Sequence, residues 1–289
     1  MNINDLRIFI ALAEYENFTR AATATNTVQS NVSARIKALE KSLNTKLLYR
    51  TTRSVTLTPQ GIDFLKIARE ITMAIDNFKF SIHKQEGLNG QVRLGCIHSA
   101  ATLRASSVLE KFIRDYPDVD FTLKTGTTSD LIAQVTEYKL DGAFITGPVR
   151  HPDLDTQTIV FEELHIVLAS GTPDPETLIR GDKPVKLAVF NRGCSYRDLL
   201  THFLNTTPAG IKYIETDTLE NILNVVENGT AITLLPKELI TRHYPFRKLR
   251  TIPLPESHAK IPTVFIKRKD FPMSHAYSLF FDSVINGYG

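Results

Sequence analysis

The stretch that decides the fold reads Phe18-Thr19-Arg20-Ala21-Ala22 and, after a turn at Asn26-Thr27, Val28-Gln29-Ser30-Asn31-Val32-Ser33-Ala34-Arg35-Ile36-Lys37-Ala38-Leu39-Glu40. The first half predicts a short helix over about 19–25, with Thr19 as its N-cap and alanines small enough for a close helix crossing. In the second half, apolar residues recur at spacings of three and four, which places Val32, Ile36, Leu39 and Leu43 on one helical face.

The other face of this second helix carries hydrogen-bonding side chains rather than a generic charged coat: Gln29, Ser30, Asn31, Ser33, Arg35 and Lys37. A short helix, a turn and a polar-faced helix form the helix-turn-helix arrangement, whose second helix enters the major groove of DNA. Periodicity alone fits an ordinary pair of core helices as well, so the interpretation depends on what surrounds the stretch.

The basic excess of the chain lies in the same region. The 289 residues have a formal net charge of +3, and between positions 1 and 58 there are eight lysines and arginines against four aspartates and glutamates. The rest of the 34 basic and 31 acidic residues nearly balance. This asymmetry fits an N-terminal domain that neutralises phosphates and a body that does not.

The stretch resembles the N-terminal domain of LysR-type transcriptional regulators. The similarity continues through Arg50-Thr51-Thr52-Arg53-Ser54-Val55-Thr56-Leu57-Thr58-Pro59-Gln60-Gly61, which matches the family's wing, an arginine-bracketed hairpin, and the Leu-Thr-x-x-Gly start of its linker helix. The chain departs from the usual pattern at Ala34-Arg35, at Asn44, which replaces a glycine, and at Thr25, which replaces a leucine.

This resemblance implies a winged helix-turn-helix that binds double-stranded DNA. The expected contacts to bases or phosphates come from both helices and from the wing: Thr19, Gln29, Ser30, Asn31, Ser33, Arg35, Lys37, Arg50, Thr51 and Arg53. For Arg50, a plain surface cation is the alternative interpretation.

A long amphipathic helix is predicted after the wing. Thr58 supplies a capping hydroxyl, and Pro59 stands at the first helical position, where its missing N–H costs nothing. Apolar residues then recur at three and four for about two dozen residues. Because the corresponding helix of the LysR family dimerises, and because so long a helix is more stable with a partner, we expect a homodimer or a homotetramer. The segment 86–90 is predicted to end the helix and to form a hinge.

From residue 91 the pattern changes to strands alternating with helices. Strands are predicted at 92–97, 119–124, 142–146, 161–169, 185–190, 231–235 and 262–267, and helices at 101–116, 130–139, 199–204 and 218–228. This succession implies parallel sheet with ligand chemistry at the carboxyl ends of the strands. Crossings of the chain near Glu162 and Pro262 would divide the region into two lobes around a cleft, the architecture of periplasmic solute-binding proteins, which the LysR effector domain resembles.

The predicted fold class is therefore α/β with an N-terminal all-α winged helix-turn-helix, a long linker helix and a two-lobed, periplasmic-binding-protein-like effector domain. The expected boundaries are 1–58 for the DNA-binding domain, 59–89 for the linker helix and hinge, and 90–289 for the effector-binding domain. Within the last, lobe I takes about residues 90–161 and 266–289, and lobe II takes about residues 162–265.

Four loops at predicted strand ends supply the candidate effector-binding residues. Hydroxyls and backbone N–H groups at helix starts, with an arginine nearby, suit a small carboxylate or a similar metabolite. The candidates are His98, Ser99, Thr127, Thr128, Thr146, Gly147, Cys194, Ser195 and Arg197. For Ser99 and Thr128, ordinary helix capping explains the residue equally well, and the two roles are compatible.

Cysteine chemistry offers an alternative trigger. The peroxide-sensing branch of the LysR family has a reactive cysteine in the same loop, which aligns with Ser195, one residue after Cys194. Its resolving cysteine aligns near Leu204, where this chain has none, so a two-cysteine switch is disfavoured. A cysteine at a helix start near arginine remains a candidate for oxidation, and a small residue in the cleft wall is the favoured interpretation.

Other functions find little support in the composition or the motifs. The hydrophobic fraction of 42% and the charged fraction of 22% are typical of globular proteins. There is no apolar run long enough for a membrane span and no signal region, so a cytoplasmic protein is expected. The eight histidines lack metal-ligand spacing, and phosphate-cradling glycines and a serine nucleophile elbow are absent. We expect no metal, no cofactor and no catalytic residues.

The sequence therefore predicts a sequence-specific, non-enzymatic transcriptional regulator of the LysR type, controlled by a small-molecule inducer bound between the lobes. The expected partners are double-stranded DNA, the effector and further copies of the chain, with RNA polymerase as an additional candidate. The alternative from another class is a solute-binding or enzymatic α/β module with a helical appendage. Within the family, the alternative is a cysteine-based redox-responsive regulator.

Overall fold

The computed structural model describes residues 1–50, 55–82, 90–204, 210–255, 259–270 and 274–288. They form two compact units, one built on residues 1–87 and the other mainly on residues 88–289. Each unit has its own hydrophobic core. The division follows the change of pattern in the sequence near residue 90, where helices give way to alternating strands and helices.

The N-terminal unit combines a three-helix bundle, a small hairpin and a long helix. Its elements are α1 (Ile3–Tyr15), α2 (Phe18–Ala24), α3 (Gln29–Ser42), β1 (Leu48–Arg50), β2 (Val55–Leu57) and α4 (Pro59–Ile82). Strands β1 and β2 pair in antiparallel orientation, with Tyr49 opposite Thr56. The predicted winged helix-turn-helix and long linker helix are thus confirmed.

Side-chain caps fix where the first two helices begin. Asn2 and Asp5 form a reciprocal capping box at the start of α1. The Oδ1 of Asn17 accepts hydrogen bonds from the backbone N–H groups of Thr19 and Arg20 at 2.9 and 3.0 Å. Asn17 is therefore the N-cap of α2, and the prediction of Thr19 was wrong because the helix already begins at Phe18.

The apolar face of α3 is buried, as its spacing predicts. Val32, Ile36 and Leu39 are almost fully buried in the core that α3 shares with α1. Leu43, the last residue predicted on this face, is instead exposed and forms the C-cap, since the helix ends at Ser42. The core therefore uses three turns of α3 and leaves its polar face outside.

Two positions at the base of the wing depend on backbone space. Asn44 has a φ of +48°, a left-handed conformation that glycine adopts freely and asparagine tolerates. This explains why asparagine can replace the glycine usual in the family. A Cβ on Gly61 would lie 2.1 Å from the carbonyl oxygen of Leu47. Helix α4 can therefore cross the chain ahead of β1 only if glycine stands at this position.

The start of α4 is fixed by Thr58, as predicted. Its Oγ1 accepts a hydrogen bond from the backbone N–H of Gly61 at 2.9 Å and donates one to the carbonyl oxygen of Lys46 at 2.7 Å. The helix then runs for 24 residues. Most of the predicted hinge at 86–90 lies outside the described residues.

The C-terminal unit alternates strands and helices. Its elements are β3 (Gly90–Cys96), α5 (His98–Ala100), a π-helical turn (Ala101–Ala105), α6 (Ser106–Asp115), β4 (Val119–Thr125), α7 (Thr128–Thr136), β5 (Gly142–Thr146), β6 (Leu154–Ala169), α8 (Pro175–Arg180), β7 (Val185–Val189), α9 (Ser195–Phe203), β8 (Ile211–Glu215), α10 (Leu219–Glu227), β9 (Thr233–Pro236), a second π-helical turn (Leu239–His243), β10 (Leu249–Pro253), β11 (Lys260–Arg268) and α11 (His275–Tyr288).

Strand β6 belongs to both lobes. Its residues 154–163 pair in antiparallel orientation with β11, and its residues 164–169 pair with β9 and β10. In the first lobe, β3 pairs in parallel with β4 and β5. In the second lobe, β7 and β8 form a parallel pair, and Leu187 of β7 bridges to Ile232 just before β9. This arrangement is the predicted two-lobed α/β fold.

In the described part of the C-terminal unit, the sequence analysis missed α8, β8, the second π-helical turn, β10 and α11. Strands β8 and β10 lie at sheet edges and are at most partly buried, so neither shows a strong apolar run. Helix α9 begins at Ser195 rather than at the predicted 199, and helical structure after β3 begins at His98 rather than at 101. Both helices therefore start directly at the cleft loops. None of the helices within the described ranges is both long and apolar enough to span a membrane.

Candidate nucleic-acid interface and interlobe cleft

The polar face of α3 presents to solvent several side chains that have no partner among the described residues. Gln29, Ser30 and Lys37 are exposed and Ser33 is half-buried. Within the described part of the chain, none of these four side chains makes a hydrogen bond or an ion pair. Thr19 is exposed in the first turn of the neighbouring helix. These groups can bond to base edges or phosphates without first giving up a bond inside the protein.

Two other predicted contacts on α3 are engaged within the protein. The Nδ2 of Asn31 donates a hydrogen bond to the Oγ1 of Thr27 at 2.7 Å. The Nη1 of Arg35 donates to the Oδ1 of Asp5 on α1, also at 2.7 Å, and 35% of the Arg35 side chain stays exposed. Arg35 thus ties α3 to α1 and retains a guanidinium edge for a second contact.

A buried carboxylate that the sequence analysis did not single out holds the wing. The Oε1 of Glu40 accepts the backbone N–H groups of Leu47 and Leu48 at 3.0 and 3.3 Å, and its Oε2 accepts a hydrogen bond from Arg50 at 2.9 Å. The Arg50 guanidinium also lies over the ring of Phe18, 5.5 Å from its centre. Arg50 therefore positions the hairpin, in addition to any contact with DNA.

The other predicted wing contacts are Thr51 and Arg53. Both lie outside the described residues, between the end of β1 at Arg50 and the start of β2 at Val55. Their assignment to DNA binding stays a prediction from the family resemblance.

The second candidate site lies between the two lobes. Strands β3, β5 and β7 end there, and helices α5, α7 and α9 begin there. The space is lined by Ile97, Gly126, Phe190, Tyr196 and six of the predicted effector-binding residues, which are His98, Ser99, Thr127, Thr128, Thr146 and Cys194. The loops chosen from the order of the strands thus meet at one place.

Tyr196 fills much of this space. It is buried in the first turn of α9, and its hydroxyl lies 3.2 Å from the Oγ of Ser99 across the cleft. The same hydroxyl shares a hydrogen bond with Thr146. Burial raises the pKa of the Tyr196 phenol well above its ordinary value, so the hydroxyl is neutral. Tyr196 thereby bonds to the polar groups that the sequence analysis assigned to a ligand.

A stacked ring pair adds to the contact between the lobes. The rings of His98 and Phe190 are 4.3 Å apart between centroids and nearly parallel, at 7°. Burial lowers the pKa of His98, and the negative charge of Asp217 partly opposes this shift. The stack therefore favours the neutral imidazole, which loses little hydration when it is covered.

Two polar contacts complete the closure of the cleft. The backbone N–H of Ser129 donates to the carbonyl oxygen of Gly193 at 3.2 Å, and the Oγ of Ser195 donates to the Oγ1 of Thr128 at 3.3 Å. The space that remains is about 20 Å³, which is room for about one water molecule. The cleft is therefore closed, and a larger ligand requires the lobes to separate or Tyr196 to move.

Arg197, the cation predicted for the cleft, is engaged inside the second lobe. It is buried, and its guanidinium donates to the carbonyl oxygen of Phe190 at 3.3 Å and pairs with Glu215 at 2.9 Å. It also lies over the ring of Tyr213, 4.6 Å from its centre. Arg197 does not line the cleft, because these contacts draw it to the sheet beneath α9.

Gly147 also stands apart from the cleft lining. Its backbone N–H donates to the carbonyl oxygen of Pro262 at 2.8 Å. A Cβ at this position would come within 2.7 Å of the Val264 side chain. Gly147 is therefore explained by the close approach of the neighbouring strand.

The two cysteines are both buried and reduced. Burial raises the pKa of Cys194 above that of a free thiol, although backbone N–H groups of α9 and Arg197 partly oppose the shift. Burial also raises the pKa of Cys96. Leu204, where a resolving cysteine would align, is buried in the core. Both thiols are therefore protonated and poorly nucleophilic at neutral pH.

Tyr196 and Phe190 are the cleft residues that sequence reasoning missed. The predicted start of α9 at 199 gave no reason to separate Tyr196 from its neighbours. The observed start at Ser195 places Tyr196 in the first turn, next to the cleft. Among the described residues, no group of three histidine, cysteine or acidic side chains could hold a metal ion.

Sequence comparison assigns both parts of the chain to one family. The model for the bacterial regulatory helix-turn-helix protein of the lysR family matches residues 3–62, and the model for the LysR substrate binding domain matches residues 85–288. The HTH-type transcriptional regulator CzcR of Bacillus cereus is 36% identical over 285 residues, which cover 98% of this chain and 97% of the relative. GltR of Bacillus subtilis (strain 168) is 34% identical over 281 residues, which cover 97% and 95%.

Solved structures share the fold over the whole length. A full-length OxyR variant from Pseudomonas aeruginosa has a TM-score of 0.73 at 21% identity and covers 98% of this chain and 94% of its own. Full-length CbnR in a complex with its target DNA has a TM-score of 0.66 at 20% identity and covers 99% of both chains.

Proposed function

The chain belongs to the LysR family of transcriptional regulators, and from this premise we propose that it binds DNA as an oligomer controlled by a small molecule in the cleft between its lobes. It is thus a DNA-binding regulator with a helix-turn-helix and an effector-binding domain. We assign residues 1–58 to DNA binding, 59–89 to the linker helix and hinge, and 90–289 to effector binding. The family consists of regulators rather than enzymes, so we propose no catalytic step.

The unpartnered face of α3 is the single observation that carries the DNA-binding part of the proposal. Gln29, Ser30 and Ser33 supply donors and acceptors for base edges, and Lys37 supplies a charge for phosphate. CbnR, which shares the fold, was solved with its target DNA. This supports a DNA-binding role for the N-terminal unit of the present chain. The Nη1 of Arg35 already donates to Asp5. Arg35 can therefore contact DNA only through the remaining N–H groups of its guanidinium.

The remaining DNA contacts are assigned with less structural support. Thr19 is exposed beside α3, and Thr51 and Arg53 keep their role from the family resemblance alone. Asn31 reaches DNA only if it leaves its hydrogen bond to Thr27. We therefore rank Gln29 and Lys37 as the most informative residues to change.

Helix α4 is proposed as the dimer contact. Three of its large apolar side chains, Ile62, Ile67 and Phe78, are 50%, 51% and 65% exposed. Burial of such side chains against a second copy is favourable by about 25 cal/mol per Å² of apolar surface. A homodimer through α4, or a homotetramer that contains it, would cover this surface. Operation in the cytoplasm and contact with RNA polymerase complete the proposal as expectations for a regulator of this type.

The proposed effector is a small carboxylate or a similar metabolite. Ser99, Thr128 and Thr146 line the cleft, and helices α5 and α7 begin beside it, where polar groups at a helix start favour an acceptor group on the ligand. The ligand would replace the Tyr196 hydroxyl as the partner of Ser99 and Thr146. Oxidation of Cys194 is a less favoured trigger, because its pKa is raised by burial. If Cys194→Ser responded to peroxide as the wild-type chain does, oxidation of Cys194 would be excluded as the trigger.

The DNA-binding proposal is tested with a duplex selected from a randomised library by the full chain. Gln29→Ala is expected to lower the preference for that duplex over an unrelated one by about 10- to 100-fold, the loss expected for one base contact. Fluorescence anisotropy at fixed salt measures both affinities. Lys111→Gln, an exposed change in the C-terminal unit, is the control and should leave both unchanged. Equal preference in the wild-type chain and Gln29→Ala would contradict the assignment of α3 as the reading helix.

A further inference from the structure

A cavity of the C-terminal unit, lined by described residues, lies away from the cleft. It measures about 560 Å³ and opens beside the amino ends of β7 and β8. The cleft lies past the carboxyl end of β7, at Phe190. A cavity of this size is within the range of about 300–1,000 Å³ that small-molecule sites occupy. The second lobe thus has two candidate binding spaces at opposite ends of one strand.

Three lysines that have no partner among the described residues surround this cavity. Lys183, Lys186 and Lys212 all line it and are all exposed. In the ranges that the structure describes, none of the three forms an ion pair or a side-chain hydrogen bond. Asp182 contributes one carboxylate to the lining, so positive charge is in excess.

Two of these lysines are placed directly against each other. Lys186 of β7 and Lys212 of β8 are register partners in the parallel pair, so their side chains leave the same face of the sheet on strands about 4.8 Å apart. Like charges opposite one another destabilise a sheet. An anion between the two ammonium groups would remove this repulsion and gain charge-assisted hydrogen bonds.

The floor of the cavity has a different character from its rim. Leu178 is half-buried and Pro184 is exposed, and both contribute apolar surface to the lining, whereas Val185 and Ile232 behind them are almost fully buried. Inorganic ions would gain nothing from this surface, whereas an apolar group of a ligand would be removed from water there. The ligand that fits both parts has an apolar body and an anionic end.

We propose that this cavity is a second ligand site, which binds a small organic anion with its carboxylate or phosphate group between Lys186 and Lys212 and its apolar body against Leu178 and Pro184. The site is separate from the interlobe cleft and shares no lining residue with it. A ligand in this site would therefore not overlap with the effector proposed for the cleft.

Isothermal titration of the full chain tests the proposal with four probes. Phenyl phosphate and benzoate distinguish a phosphate from a carboxylate source, inorganic phosphate lacks the apolar body, and benzyl alcohol lacks the charge. We expect at least one of the two organic anions to bind more tightly than inorganic phosphate and benzyl alcohol. Lys186→Gln should weaken that binding by about tenfold or more, as loss of a charged hydrogen bond implies. Lys111→Gln changes a surface lysine of the first lobe that is unpaired within the described ranges, and it should have no effect.

Two further variants separate this site from the cleft and from effects on folding. Lys212→Glu should abolish binding and raise the midpoint of thermal unfolding at low salt, because the new carboxylate pairs with Lys186. Thr128→Val, in the cleft, should leave binding unchanged. The proposal is overturned if neither organic anion binds, if inorganic phosphate binds as tightly as phenyl phosphate and benzoate, if Lys186→Gln binds as well as the wild-type chain, or if Thr128→Val removes the binding.

Discussion

The polar face of α3 and the interlobe cleft are built from similar side chains but differ in how those side chains are partnered. On α3, Gln29, Ser30 and Lys37 are exposed and, within the described residues, unpaired. In the cleft, Ser99 and Thr146 are buried and bonded to Tyr196. The first surface can therefore accept a partner as it stands, whereas the second must exchange internal bonds for bonds to a ligand. A ligand larger than water can therefore enter the cleft only if the lobes separate or Tyr196 moves, and either change would couple the proposed effector to the conformation of this unit.

The largest expected effect is a loss of stability in the N-terminal unit when a residue that supports the wing, rather than one proposed to contact DNA, is changed. Glu40→Ala leaves two backbone N–H groups and the Arg50 guanidinium without their buried partner. Loss of one member of a buried ion pair costs about 3–5 kcal/mol, so the free energy of unfolding of this unit should fall by that amount. Urea unfolding of the full chain, followed by circular dichroism, measures the change.

Gln29→Ala is the matched control for Glu40→Ala on the same helix. Because Gln29 is exposed and has no partner among the described residues, its truncation should change the free energy of unfolding by less than about 0.5 kcal/mol. If Glu40→Ala and Gln29→Ala were destabilised equally, Glu40 could not be distinguished from Gln29 as the residue of α3 that supports the wing.

A smaller effect is expected from the cleft. Tyr196→Phe keeps the ring but removes the hydroxyl that bonds to Ser99 and Thr146. The unsatisfied groups should lower the free energy of unfolding of the C-terminal unit by about 1–3 kcal/mol. Amide hydrogen exchange should also become faster at the cleft loops, because the closed arrangement loses a contact between the lobes.

Tyr213→Phe is the control for the cleft variant. The Tyr213 hydroxyl shares a hydrogen bond of 3.2 Å with Thr201, on an exposed part of the lobe, where water can replace the lost partner. Its effect on both measurements should be much smaller. Equal effects of the two substitutions would show that Tyr196 does not hold the lobes together.

Lys37→Gln concerns the charge on the reading surface. The lysine has no partner in the described structure, so its neutralisation should leave stability unchanged and weaken binding to every duplex alike. The slope of log affinity against log salt concentration should become shallower by about one unit. Anisotropy titrations at a series of salt concentrations measure the slope, with Lys111→Gln as the unaffected control. An unaltered slope would exclude Lys37 from the phosphate contacts.

The sequence predicted best those features that depend on neighbours along the chain. The face of α3 and the start of α4 at Thr58 follow from local spacing and capping, and the structure has both. The roles of Glu40 and Tyr196 were not predicted, because each depends on residues brought close only by folding. Arg197 lay in the expected loop, but Glu215 draws it away from the cleft, and β8, which contains Glu215, was not predicted.

The smallest expected effect is a dependence of the cleft on pH. The pKa of His98 is lowered from its ordinary value near 6.5, first because burial disfavours the charged ring, although Asp217 opposes the shift. Below about pH 6.5 the unfolded chain therefore binds a proton at His98 that the folded chain does not yet bind. The unfolding free energy should thus fall as the pH is lowered from above 6.5 towards the folded pKa, and the stack on Phe190 should loosen.

His98→Gln removes this titration and should make the decline of stability with acidification shallower. Thermal unfolding of the wild-type chain and of His98→Gln is measured from about pH 5.5 to 7.5, about one unit either side of the free imidazole pKa. The difference in stability between the two at each pH reports on His98, because the contributions of the carboxylates and the other histidines cancel. Asn221→Ala, at an exposed position, removes no titratable group and should leave the slope as it is in the wild-type chain. If His98→Gln also left the slope unchanged, the cleft would be insensitive to pH, and closure would depend on Tyr196 and the hydroxyl contacts instead of on the ring stack.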